Sequence, residues 1–74
     1  MTKVYLNKKI NPRIALGHPW IYNNEVDRIA GPIEPGDIVE VYFFDGQLAG
    51  RGYINPNSQI IIRLLTRKRE EIDA

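Results

Sequence analysis

Few side chains in this 74-residue sequence are able to do chemistry, and most fail on context. Nucleophilic catalysis would have to use Ser58 with His18, the only residues of their kinds. Neither stands in the sharp strand-to-helix turn that exposes a catalytic serine. Metal binding would need further nitrogen or sulfur ligands near His18, but the chain has no cysteine and no second histidine, and Pro19 keeps His18 in a turn. Gly46, Gly50 and Gly52 invite a phosphate-loop reading. However, the stretch Gly46-Gln47-Leu48-Ala49-Gly50-Arg51-Gly52 lacks the Lys-Ser/Thr ending and opens a strand rather than a helix. Gly50 and Gly52 are expected instead to mark a bulge or a close approach of another backbone. A nucleotide-type cofactor would need a Gly-rich turn between a buried strand and a helix, and none is present. These residues therefore predict no catalytic, cofactor or metal site.

What remains is basic and aromatic. Lys8, Lys9 and Arg13 precede His18, Trp20 and Tyr22, and Arg51, Tyr53 and Arg63 lie in the second half. Cations beside exposed aromatics suit a phosphate backbone with bases stacked against it. Each residue also has a plainer role. Trp20 and Tyr22 fit a core or its rim, the early cations fit a solvated helix face, and Arg51 and Arg63 fit outward positions on strands. Arg51-Gly52-Tyr53 matches part of an RRM stacking motif, but an RRM needs two full helices and this chain has material for one short one.

The net charge of +1 conceals a strong partition. Residues 1–24 carry Lys3, Lys8, Lys9 and Arg13 and no acid, a block of +4. Residues 25–45 set Glu25, Asp27, Glu34, Asp37, Glu40 and Asp45 against Arg28, a block of −5. Residues 46–69 carry Arg51, Arg63, Arg67, Lys68 and Arg69, a block of +5, and the last five residues carry −3. A fold that joined the two basic blocks would present a one-sided positive patch.

The elements that would position these residues are short. Pro35-Gly36-Asp37 leads into Ile38 to Phe44, rich in β-branched and aromatic residues and so a strand. Asp45-Gly46 is expected as a two-residue type I′ hairpin loop, with Gln47 to Ile54 returning as the partner. Asn55-Pro56-Asn57-Ser58 is a turn, and Gln59 to Thr66 completes a meander. Earlier, Lys3 to Leu6 is a short strand. Asn11 as N-cap and Pro12 at the first helical position start a helix of about two turns that Gly17 ends. Trp20 to Tyr22 and Val26 to Ile29 are expected as one interrupted strand, followed by a loop to Pro35.

Length allows one domain with a modest core, because a chain this short buries only about 60% of its unfolded surface. Its 43% hydrophobic content is that of a folded chain. With no cysteine, no disulfide or thiolate site staples it, which fits a reducing cytosol. No apolar run approaches the roughly 20 residues that span a bilayer, and no signal-peptide core is present, so a cytoplasmic protein without a membrane partner is expected. Five or six short strands and one helix are best served by curling the sheet into a small, partly open barrel that hides its edges. The fold class expected is mainly β with one short helix.

The string Gly17-His18-Pro19-Trp20-Ile21-Tyr22, then Pro35-Gly36-Asp37, then Gly50-Arg51-Gly52-Tyr53-Ile54-Asn55-Pro56-Asn57-Ser58-Gln59-Ile60 and Arg63-Leu64-Leu65-Thr66, closely resembles the N-terminal region of class I SAM-dependent ribosomal RNA methyltransferases. Order and spacing agree over almost the whole chain. The resemblance implies a PUA-like pseudobarrel over residues 1–66, with residues 67–74 beginning the link to a downstream methyltransferase domain. It also implies that such a parent methylates C5 of cytosine in large-subunit ribosomal RNA, using S-adenosylmethionine and a catalytic cysteine held downstream. On this reading the chain is an excised domain, not an enzyme by itself.

In PUA domains RNA meets the first helix, the glycine ending it and the adjoining strand. Carried to matching positions, that favours Lys9, Arg13, Gly17, His18 and Trp20, with Arg51 and Tyr53 as weaker candidates beside Lys8 and Arg63. Pro12 and Leu16 depart from the more basic helix of relatives. The partners implied are ribosomal RNA and the chain's own methyltransferase domain, with a homodimer possible through the parent. The competing expectation is a docking domain that packs on the methyltransferase domain through its acidic block and has little RNA affinity.

Overall fold

Alternation along the central strands decides which face is inside. In Ile38–Tyr42, Val39 and Val41 are fully buried and belong to the core, so Ile38, Glu40 and Tyr42 point to the other face. The structure is a computed structural model that describes residues 1–8 and 17–68. The expected helix from Asn11, with Lys9 and Arg13, lies outside the described residues, as does the tail from residue 69.

Six strands make up one sheet: β1 (Lys3–Leu6), β2 (Trp20–Tyr22), β3 (Val26–Ala30), β4 (Ile38–Tyr42), β5 (Leu48–Ile54) and β6 (Ile60–Thr66). Their spatial order is β2-β6-β5-β4-β1-β3. All pairings are antiparallel except β1 with β4. The β4-β5-β6 meander is as expected. The single interrupted strand over Trp20 to Ile29 is not: β2 and β3 lie at opposite edges of the sheet. They are joined only by a one-turn 3-10 helix, Asn23–Glu25.

So short a link between the two edges requires the sheet to curl until they approach, giving a mostly β half-barrel. The turn is tied to both sides. Asn23 N–H donates to Gln59 O ahead of β6 at 2.9 Å, and Asn7 N–H after β1 donates to Glu25 O at 2.9 Å. The buried Glu25 carboxylate accepts from Tyr22 N–H at 2.9 Å. That bond stops β2 from running on into β3.

The curl encloses Val4, Leu6, Ile21, Val39, Val41, Ile54 and Ile62, all at most 1% exposed. Burial of each such side chain contributes about 1.5–3 kcal/mol. Ala49, Ile61 and Leu64 complete the core, with Val26, Ile29, Ile33 and Phe43 packed against it.

The β4-β5 loop also differs from expectation. Phe43 N–H donates to Gln47 O at 2.8 Å and Gly46 N–H to Phe43 O at 2.9 Å, so the loop is Phe44-Asp45-Gly46. Positive φ among the described residues is confined to glycines, Gly46 at 88° included. Asp45 therefore cannot occupy a type I′ position. A three-residue loop with glycine in the left-handed position replaces it, and Asp45 Oδ1 accepts from Gln47 N–H at 3.0 Å.

Gly50 and Gly52 serve close approach, as expected. A Cβ on Gly52 would land on the carbonyl oxygen of Arg63, and one on Gly50 on that of Thr66. The β5-β6 register shifts between Arg51 and Gly52, an irregularity of the kind that bends a strand and raises its twist.

Candidate nucleic-acid interface

Register places three candidate residues in one row. Trp20 on β2 is opposite Arg63 on β6, and Arg63 is opposite Tyr53 on β5. Directly opposite partners share a face with Cβ atoms about 4.5–5.5 Å apart. The neighbouring positions Ile21, Ile62 and Ile54 are fully buried, so the row Trp20-Arg63-Tyr53 lies on the face away from the core. Trp20 is 40% exposed, high for its size, and Arg63 is exposed while Tyr53 is half-buried. Arg63 has no ion pair among the described residues.

His18 adjoins this row. Its ring meets Trp20 edge-on, centroids 5.4 Å apart at 83°, and its Nδ1 accepts a 3.4 Å contact from Trp20 N–H. Gly17 precedes it in an exposed turn at φ 107°. The segment is anchored from β6: Leu64 N–H donates to Pro19 O at 2.7 Å. Arg67 Nη2 donates to His18 O at 3.1 Å and its Nη1 to Ala49 O at 3.4 Å. Arg67 thus fixes the edge of the row, a role hidden in sequence because it stands among the charges of the tail.

Beside the row is an open groove of about 250 Å³. Trp20, Tyr53 and Arg63 line it, the β5-β6 turn supplies Asn55 and Ser58, and the start of β6 supplies Ile60 and Ile61. The last four were not among the residues expected at a site. In sequence they read as a turn and a β-branched run, and the resemblance that includes Asn55, Ser58 and Ile60 gave them no part in a site.

Arg51 is placed differently. It shares the outer face one step along β5 from Tyr53, but its guanidinium is bound to Glu40, with Nε at 3.0 Å and Nη2 at 2.9 Å from Oε2. Tyr42 O–H donates to the other carboxylate oxygen. Glu40 is only 6% exposed, so these contacts compensate a buried charge. Lys8 is exposed two residues beyond β1, and no hydrogen bond or ion pair among the described residues engages it.

A second cluster, unforeseen from sequence, occupies the same face near β1 and β3. Arg28 lies over the Tyr5 ring at 4.3 Å, Tyr5 stacks on Tyr42 at 5.6 Å, and Lys3 Nζ is 5.8 Å from the Tyr42 centroid. Among the described residues no group of three His, Cys, Asp or Glu side chains is arranged to hold a metal, and no helix is long and apolar enough to cross a membrane.

Residues 4–67 match the family described as PUA-like domain. The chain belongs to the PUA-like domain family. Relatives include Ribosomal RNA large subunit methyltransferase I of Aliivibrio fischeri strain MJ11, 41% identical over 71 residues. The proteins of the same name from Tolumonas auensis and Photobacterium profundum are 36% identical over 70 and 38% over 72 residues. Each alignment covers 95–96% of this chain but 18% of the relative. The PUA-like domain therefore spans under a fifth of the length of these proteins. A half-barrel of six short strands is consistent with a PUA-like pseudobarrel. Within it, His18 and Trp20 from the start of β2 meet Tyr53 and Arg63 from the meander, while Arg51 is paired with Glu40.

Proposed function

We propose that this PUA-like domain binds ribosomal RNA and positions it for a methyltransferase domain in the same polypeptide. The observation that carries the reading is the exposed row Trp20-Arg63-Tyr53, extended by His18. A cation between two aromatic rings on a rigid sheet can meet phosphate and base together. Gly17 lets a phosphate approach the backbone in the turn before His18. Lys8, Lys9 and Arg13 precede that turn in the chain and add the positive charge that attracts RNA. Arg51 enters as a support, holding Glu40 opposite it on β4 rather than spending its charge on phosphate.

In this reading the parent is a SAM-dependent enzyme of the cytoplasm that methylates C5 of a large-subunit ribosomal RNA cytosine, with residues 67–74 leading into its next domain. S-adenosylmethionine would be held and used there. The described residues of this chain contain no α-helix, and so no strand-to-helix turn on which such a cofactor sits.

Titrating the chain with a structured large-subunit ribosomal RNA fragment should give an affinity whose logarithm falls linearly with log salt. Arg63→Gln should make that slope shallower by about one, the signature of one lost phosphate contact. A salt-independent interaction, or none at millimolar protein, would overturn the proposal.

A second reading, docking on the methyltransferase domain, is favoured by Phe44. It is 64% exposed at the β4-β5 loop and borders a cavity of about 310 Å³ shared with Tyr5 and Arg28. On that reading, deleting the domain from the full-length protein lowers its Tm without weakening RNA binding.

A further inference from the structure

We propose that the groove beside Trp20 and Tyr53 receives a single unpaired nucleotide, so that the domain recognises looped-out or single-stranded RNA in preference to duplex. The inference rests on the RNA-binding reading above and names the part of the RNA that this site takes.

An unstacked base needs three things from a protein: an aromatic or guanidinium plane to replace its lost stacking, polar groups for its edge, and a cation for its phosphate. The groove gathers all of them. Trp20 and Tyr53 flank Arg63 on adjacent strands, which supplies the planes and the cation. Asn55 and Ser58 supply the polar groups. Asn55 Oδ1 accepts from Asn57 N–H at 3.3 Å, which directs its amide and leaves the NH₂ as the donating end. The Ser58 hydroxyl has no hydrogen bond among the described residues, so it can donate or accept.

Both groups are held before any ligand arrives. Asn55 N–H donates to Ile61 O at 2.7 Å, and Ser58 N–H to Asn55 O at 3.1 Å. A turn fixed in this way loses little further freedom on binding. The apolar side chains of Ile60 and Ile61 favour a flat ring over water. A groove of about 250 Å³ is small beside the ~300–1,000 Å³ of ordinary ligand pockets, the scale of a single base. Bases inside an A-form helix are stacked and paired, and cannot enter such a groove.

Trp20 is the only tryptophan in the chain, so its emission reports on this groove alone. The test compares an RNA hairpin with an unpaired loop against a fully paired duplex of the same stem, using the 74-residue chain. The hairpin should quench Trp20 and bind more tightly. The double variant Asn55→Ser, Ser58→Ala keeps a side-chain oxygen for the turn and removes the amide donors and the hydroxyl. It should weaken hairpin binding about ten-fold, as expected for one or two lost hydrogen bonds, and leave duplex binding unchanged. If hairpin and duplex bind alike, with no quenching and no effect of the variant, the nucleotide groove is wrong and RNA binding stands. If neither RNA binds, both proposals fall together.

Discussion

Gly52→Ala is expected to cost about 3 kcal/mol or more of folding stability, the upper range for a single substitution. The added methyl would overlap the Arg63 carbonyl oxygen and lie 2.8 Å from both the Arg63 carbonyl carbon and Leu64 Cα. These are backbone atoms of the paired strand, so no rotamer change relieves the clash and β6 must move away from β5. Folded domains have a total stability of about 5–15 kcal/mol, and one this small sits at the low end. From about 5 kcal/mol such a loss leaves about 2 kcal/mol, which raises the unfolded fraction more than about a hundred-fold, to a few per cent.

Gly36→Ala provides the contrast. Nothing lies within 4 Å of a Cβ there, but φ is +91°, so its cost is conformational and about 1 kcal/mol. Urea denaturation followed by Trp20 emission separates the two through the midpoint at constant m-value. A Gly52→Ala midpoint no lower than that of Gly36→Ala would refute the close-approach argument. The same clash bears on function, because Tyr53 faces Arg63 only while β5 and β6 keep their register.

The parts of this fold legible in sequence are those set by neighbours along the chain. β1 and the meander follow from β-branched runs bounded by turn dipeptides, and the Asn55 turn from its own side chain. The interruption between Trp20 to Tyr22 and Val26 to Ile29 was legible, but not that it sends the two pieces to opposite edges of the sheet. Asn23-Asn24-Glu25 weakens the strand locally, and the turn is completed by the Glu25 carboxylate reaching back to Tyr22 N–H. The Asp45-Gly46 loop shows the same limit, since a two-residue and a three-residue hairpin use the same dipeptide and differ only in which residues pair.

For the site, His18 and Trp20 are two residues apart and could be grouped by inspection. Placing Arg63 between Trp20 and Tyr53 required the strand order β2-β6-β5, which nothing local encodes. The charge blocks misled in one respect. Counting Glu25 and Glu40 in an acidic block that packs on a partner domain overlooks that both are buried, 7% and 6% exposed, where each serves a backbone or side-chain donor. The surface acid of residues 25–45 is correspondingly weaker, which favours RNA over a basic partner domain as the ligand of this sheet.

Arg51→Ala is expected to destabilise the domain by about 3 kcal/mol, because it takes from the Glu40 carboxylate the guanidinium bound to its Oε2 in a site that water scarcely reaches. The arginine side chain is itself 18% exposed, which holds the cost to the lower end for a broken buried pair. Removing both charges should be far milder: Glu40→Leu with Arg51→Met replaces the pair by apolar groups of similar length, and such replacements are often neutral. The comparison also settles what Arg51 is for. If it holds Glu40, the double variant regains most of the stability and binds RNA with an unchanged salt slope, whereas Arg63→Gln flattens that slope by about one at full stability. If the double variant is stable and its slope flattens equally, Arg51 meets phosphate despite its partner, and the interface extends along β5 from Tyr53 toward Lys3.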